Sequence, residues 1–161
     1  MLYFAYGSNL NHNQMRNIRC KGSKFLKNYF LKDYELSFCH PNKLNKFGYA
    51  NIIYNKGHIT PGAIWVITKN HEEILDTYEQ FPHIYQKDFF YLEKEKVMFY
   101  IMKKYFFKKP PKSYIDIINE GYKNCKIDEL NNKILFFPLS AKNEQSLLAY
   151  KKSFIKYIKT K

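Results

Sequence analysis

Cysteine is scarce in this chain of 161 residues. Cys20, Cys39 and Cys125 are odd in number and widely spaced, and no C-x-x-C pair occurs. That excludes a disulfide framework and a structural zinc site, so all three are read as ordinary thiols. The five histidines are scattered, and none forms an H-x-x-x-H pair. Cys39 and His40 are adjacent, and neighbouring strand residues point to opposite faces, which makes them a poor catalytic dyad. No metal site is expected. No apolar run is long enough to span a bilayer, and the N-terminus lacks the layout of a signal peptide. A cytoplasmic protein with no membrane partner is expected.

Arginine is nearly absent. Of the 27 basic residues only Arg16 and Arg19 are arginine, against 14 acidic residues and a net charge of +13. Such a charge suggests a nucleic-acid partner. Specific readers of bases rely on arginine for bidentate contacts, however. The abundance of Lys, Asn, Ile, Tyr and Phe also matches A/T-rich codons. The charge is therefore read as composition, on a solvated lysine face, and not as a nucleic-acid surface.

Aromatic residues are plentiful: 15 Tyr and 14 Phe in a chain that is 45% apolar. This length supports one domain with a hydrophobic core. An apolar run at 2–6 reads as a buried strand that breaks at Gly7-Ser8-Asn9, before a short helix over 11–18. A strand ending in glycine and small polar residues groups several backbone N–H donors, a cradle for an anion or oxyanion. The same pattern fits a tight connection with Asn9 or Asn11 as helix N-cap. Further strands are expected at Tyr34–Phe38, by alternation, and at 48–54 and 63–67, separated by a turn at Asn55-Lys56-Gly57. Segments 85–92 and 97–105 flank a charged hairpin tip at 93–96. A helix over 71–80 takes Asn70 as N-cap and Glu73 in the capping-box position. Pro110-Pro111 breaks the chain before a helix over 114–124 capped by Ser113. Leu147, Leu148, Phe154, Ile155 and Ile158 have helical spacing after a start at Ser140. The element order predicts an α+β domain on a mixed, strongly curved, barrel-like sheet.

In the helix at 71–80, His71, Ile74, Leu75 and Tyr78 form the expected inward arc, with Glu72, Glu73 and Asp76 solvated. Glu79, four residues after Leu75, falls at the border of that face. A carboxyl group there either snorkels to water or is desolvated with a raised pKa.

Four segments then occur in a familiar order: Tyr6-Gly7-Ser8-Asn9, Gly48-Tyr49-Ala50-Asn51-Ile52, Leu75-Asp76-Thr77-Tyr78-Glu79 with Pro82 and Tyr85, and Pro110-Pro111-Lys112-Ser113-Tyr114. Together they resemble the γ-glutamylcyclotransferase-like family, which includes γ-glutamylamine cyclotransferase and AIG2-like proteins. The resemblance spans about residues 1–122. It implies a domain over 1–125, and the helical spacing beyond it is read as an extension over 126–161 packed on that domain. It also implies a small-molecule γ-glutamyl substrate, cyclised to 5-oxoproline with release of an amine or amino acid and without a cofactor. Glu79 carries over as general acid/base. Tyr6, Gly7, Ser8, Asn9 and Leu10 carry over as the glutamyl cradle, and Tyr114 as a wall of the same cavity. Two departures stand out. Gln80 occupies a position where many relatives have glycine. Asn9 stands where the glutathione-specific branch has an apolar residue. A γ-glutamylamine cyclotransferase, or a non-catalytic ligand- or nucleic-acid-binding module on the same fold, are the alternatives. Oligomeric state is left open.

Overall fold

The structure, a computed structural model, describes residues 1–127. The extension expected over 126–161, with its helix starting at Ser140, lies from residue 128 onward outside the described residues. The elements run β1 (Leu2–Ala5), β2 (Lys24–His40), β3 (Tyr49–Val66), α1 (Lys69–Tyr78), β4 (Gln86–Leu92), β5 (Glu95–Ile101), β6 (Phe106–Phe107) and α2 (Lys112–Asn124). All six strands form one sheet in the order β4-β5-β1-β3-β2-β6. β1 pairs parallel with β5 and antiparallel with β3, so the sheet is mixed. This is the expected α+β class.

Ring contacts show how far the sheet curls. Tyr29 of β2 stacks on Phe90 of β4 with centroids 5.3 Å apart and planes 9° apart. Four strand spacings separate β2 from β4, roughly 19 Å in a flat sheet. The rings meet because the sheet folds over Phe4, which touches both of them edge-on. β1 is covered on both faces, which explains its unbroken apolar run: Phe4 faces those rings, while Tyr3 on the opposite face meets Tyr100.

The expected turn at 55–57 is instead a bulge within a long hairpin. β3 runs unbroken for 18 residues against the 17 of β2, with a register shift between Lys32 and Tyr34. Asp33 (φ 64°) and Gly57 (φ 85°) absorb the irregularity, and the Gly57 N–H donates to Asp33 Oδ1 at 2.8 Å. Turn residues served to bend a strand, not to end it.

Several boundaries shift for identifiable reasons. α1 starts at Lys69 because Thr68, not Asn70, is its N-cap. Thr68 Oγ1 accepts from His71 N–H, and His71 Nδ1 accepts in return from Thr68 N–H, so His71 takes the capping-box role expected of Glu73. α2 starts at Lys112 behind Pro111, with Ser113 inside its first turn and no side-chain cap. β5 stops at Ile101 because the next residue bonds elsewhere: Met102 N–H donates to Asn51 Oδ1, and Asn51 Nδ2 donates to Met102 C=O. The hairpin turn is only Glu93-Lys94.

The short helix expected over 11–18 lies one residue later, at 12–19, and most of it is π-helical. A single 3₁₀ turn covers Ser8–Leu10, Asn11 is extended, and a π-helical segment follows at Gln14–Arg19. Asn11 does cap the second coil, its Oδ1 accepting from Gln14 N–H at 3.1 Å. α2 lies directly on the 3₁₀ turn. A Cβ at Gly121 would sit 2.5 Å from Leu10 Cβ and 2.7 Å from Asn11 N, so only glycine permits this approach.

Candidate active site

A cavity of about 280 Å³ opens between the first turn, the end of α1 and the start of α2. Seven tyrosines line it (Tyr3, Tyr6, Tyr49, Tyr78, Tyr85, Tyr100 and Tyr114) together with Gly7, Ser8, Asn9, His40, Ala50, Gln80, Ile84 and the carboxyl group of Glu79. Tyr6, Gly7, Ser8, Asn9, Glu79 and Tyr114 are thus brought together. Leu10 is not on this wall. It is fully buried beneath the turn, its carbonyl contacted by the Cys125 thiol, and its N–H bonds to Gly7 C=O at 3.0 Å.

The inward face of α1 differs from the expected arc. His71 and Leu75 are buried, whereas Ile74 and Tyr78 are 39% and 46% exposed. Glu72 and Asp76, expected in solvent, instead flank Lys87 of β4 at 2.6 and 2.7 Å. Burial pushes the Glu72 pKa up, but hydrogen bonds from Lys69 and Lys87 more than offset this, and it ends below the usual value. Asp76 also accepts from the Tyr100 hydroxyl at 2.6 Å. This network fixes α1 against β4 and β5, and so fixes Glu79, the C-cap of α1.

Glu79 follows directly from that helix end. Its N–H bonds back to Leu75 C=O at 2.8 Å, and its Oε1 accepts from Asn9 Nδ2 at 2.9 Å. Burial raises its pKa from 4.5 to about 7, opposed by the charge of Arg19 and the hydrogen bond from Asn9. Glu79 is half-buried, and burial is the largest influence on its carboxyl group. The next residue, Gln80, has φ 52°. The helix therefore ends in the left-handed conformation that favours glycine, which accounts for the preference from which this chain departs.

The tyrosines are held from behind. Tyr6 donates to Tyr100 C=O at 2.6 Å, Tyr85 donates to Ala50 C=O at 2.7 Å, and Tyr114 accepts from Ala50 N–H at 3.2 Å. Burial pushes the phenols of Tyr3, Tyr6, Tyr85, Tyr100 and Tyr114 above their ordinary range. They remain neutral polar groups at physiological pH. Gly7 lies against two of the walls: a Cβ there would be 2.9 Å from Ala50 Cβ and 3.1 Å from Tyr114 Oη. The three cysteines are free and buried, and burial pushes the Cys20 and Cys39 thiols up to about 11 and Cys125 to about 12. Among the described residues no cluster of His, Cys, Asp and Glu could hold a metal ion. No helix among them is long and apolar enough to cross a membrane.

Arg19 was not singled out by the residue pattern. Its guanidinium stacks on Tyr78 at 3.5 Å, and its Nη1 donates to Asn9 Oδ1 and, at 3.3 Å, to Ser8 Oγ. Its signal was compositional: in a chain that uses lysine almost everywhere, an arginine marks a place where a planar fork is needed.

A curled mixed sheet whose first turn and first long helix converge on a desolvated glutamate defines the class. The chain belongs to the γ-glutamyl cyclotransferase, AIG2-like family, whose model matches residues 3–123. It is similar to a solved structure described as a γ-glutamyl cyclotransferase, with 24% identity and a TM-score of 0.69 over 94% of this chain and 98% of that one. An uncharacterized protein from Homo sapiens matches at 23% identity and a TM-score of 0.67, over 96% and 97% of the two chains. YkqA from Bacillus subtilis matches at 17% identity and a TM-score of 0.64, over 83% of this chain and 54% of that one. These likenesses establish the fold. A comparison with curated protein sequences gives no significant match.

Proposed function

We propose that this protein cyclises a γ-glutamyl group to 5-oxoproline and releases an amine or amino acid. The observation that carries this reading is Glu79, a carboxyl group that titrates near pH 7 on the wall of a tyrosine-lined cavity beside the Gly7–Asn9 turn. The substrate α-ammonium brings three protons and keeps one in the lactam. The other two end on the leaving nitrogen, so the reaction needs a group that shuttles protons between two nitrogens. Glu79 takes a proton from the ammonium, and the freed amine attacks the γ-carbonyl carbon. Glu79 then returns that proton to the departing nitrogen as the C–N bond breaks, and passes on in the same way the second proton that the attacking nitrogen sheds once it is bonded to the carbonyl carbon. A carboxyl group poised near the working pH suits both directions. Backbone N–H groups of the Gly7–Asn9 turn hold the substrate carboxylate or the developing oxyanion. The nucleophile and electrophile share one chain, so the cavity mainly selects the conformer that closes the ring. Its volume lies at the small end for ligand sites, about 300–1,000 Å³. That matches enclosure of the glutamyl moiety with the leaving group toward solvent.

The test is mass-spectrometric detection of 5-oxoproline from a panel of γ-glutamyl amino acids and γ-glutamyl amines. Glu79→Gln keeps size and polarity but cannot exchange the proton. Turnover should fall by about two orders of magnitude or more, the usual worth of general acid/base catalysis. A folded Glu79→Gln protein with near-normal turnover removes Glu79 from the mechanism.

A further inference from the structure

We propose that Arg19 is the positioning residue of this site, locking the side-chain amide of Asn9 so that its NH₂ group faces Glu79. An asparagine amide can be rotated end for end, and its two ends are chemically opposite. Arg19 donates to Asn9 Oδ1, and a guanidinium has only donors, so it accepts no other orientation. The opposite end, Nδ2, then donates to both Glu79 Oε1 at 2.9 Å and the Tyr3 hydroxyl at 2.8 Å. The flipped amide would place its NH₂ group against the guanidinium and its oxygen against the carboxylate, so Arg19 holds from the far end the rotation that serves Glu79.

Arg19 acts from behind the cavity. It does not line the space that holds Glu79. It borders a separate, more open hollow with Gln14, Ile18, Ile74, Thr77 and Tyr78. Three features hold it there: the stack on Tyr78, the Ser8 hydroxyl, and its place at the end of the π-helical segment. Such wide turns recur at functional sites. The other groups facing Glu79 are the phenols of Tyr3 and Tyr6 from β1 and its turn, Tyr85 before β4, Tyr100 of β5 and Tyr114 of α2. These are neutral, so Arg19 is the cation acting on the carboxylate, and it favours the ionised form.

The kinetic arm of the test rests on the proposed cyclisation, whereas the titration arm does not. The Glu79 side-chain carboxyl carbon is titrated by ¹³C NMR in the wild type, Arg19→Met and Arg19→Lys. Arg16→Met serves as control, because Arg16 lies over Trp65 at 5.7 Å. Arg19 lowers the Glu79 pKa, and loss of a neighbouring opposite charge raises a carboxyl pKa by about one unit or more. The Glu79 midpoint should move up by that amount in Arg19→Met and stay in place in Arg16→Met. Arg19→Lys keeps the charge but not the fork, so its midpoint should lie between the two. In the kinetic arm the acid limb of kcat/KM should move with the NMR midpoint. Turnover of Arg19→Lys should stay below wild type even above that limb, because an ammonium lacks the planar face that stacks on Tyr78 and holds the donor against Asn9 Oδ1. An unmoved midpoint in folded Arg19→Met, or an equal shift in Arg16→Met, overturns the proposal. So does full turnover of Arg19→Lys. A moved midpoint in a protein that makes no 5-oxoproline from any substrate leaves the role of Arg19 standing and overturns the proposed reaction instead.

Discussion

A carboxyl group whose pKa rises on folding holds its proton more tightly in the native state. For Glu79, with a change from 4.5 to about 7, the sign follows from linkage. Its contribution to stability is full below the unfolded value and is lost as the pH rises through about 7. The loss is on the order of 3 kcal/mol once the carboxylate is fully ionised. Glu79→Gln substitutes a neutral amide that can still accept from Asn9. Urea unfolding at two pH values should therefore show the variant more stable than the wild type at pH 8, with the difference shrinking to near zero at pH 4. A difference that does not change with pH would mean that Glu79 titrates normally. In the proposed reaction the same substitution lowers turnover by about two orders of magnitude or more, so stability and activity should move in opposite directions at this one residue.

At the scale of elements, the first turn is where shape matters more than side-chain identity. A Cβ at Gly7 would crowd both Ala50 and Tyr114, whereas the Ser8 hydroxyl meets the tip of Arg19 at 3.3 Å. Gly7→Val should abolish measurable turnover in a protein that still folds by circular dichroism. Ser8→Ala should retain activity within about tenfold, the loss of one modest hydrogen bond. Equal activity of the two variants would reduce this turn to a connector. What was legible in the residues follows the same division. β1, the β4–β5 hairpin and the existence of α1 and α2 were readable, because apolar runs and helical spacing are local signals. The long β2–β3 hairpin was not, because the bulge at Asp33 and Gly57 uses the same residues that make turns. The buried Glu72–Lys87–Asp76 contacts were hidden because a charge stabilised by a partner on a distant strand looks like a solvated charge from its own helix. Glu79 was readable as a border position, but its raised pKa comes from burial partly offset by Arg19 and Asn9, all of which only the fold brings to it.

At the scale of the whole molecule, the curled sheet makes a cup whose closed side is aromatic and whose walls come from the whole length of the described chain. Tyr3 and Tyr6, Asn9, Ala50, Glu79 and Tyr114 are far apart in sequence and meet only because β1 lies at the centre of the sheet with α1 and α2 closing its end. A partly open cavity of about 280 Å³ would, in the proposed reaction, read the part of a substrate that enters it and not the part left outside. In the proposed reaction the enclosed part contains the nucleophile, so the two ends of the substrate should respond differently to change. An acetyl group on the α-amine removes both the attacking lone pair and the proton that Glu79 would take. Acetylated γ-glutamyl compounds should therefore yield no 5-oxoproline at any enzyme concentration that fully converts the free-amine parent. Exchanging the leaving amine for another should alter kcat/KM while the product remains 5-oxoproline. Water-driven hydrolysis predicts the reverse pattern, since a blocked amine does not hinder attack by water and the product is free glutamate. Chromatography that separates glutamate from 5-oxoproline decides between them. Glutamate as the main product, or cleavage of the acetylated compound at the parent rate, would overturn cyclisation even if Glu79 proved essential.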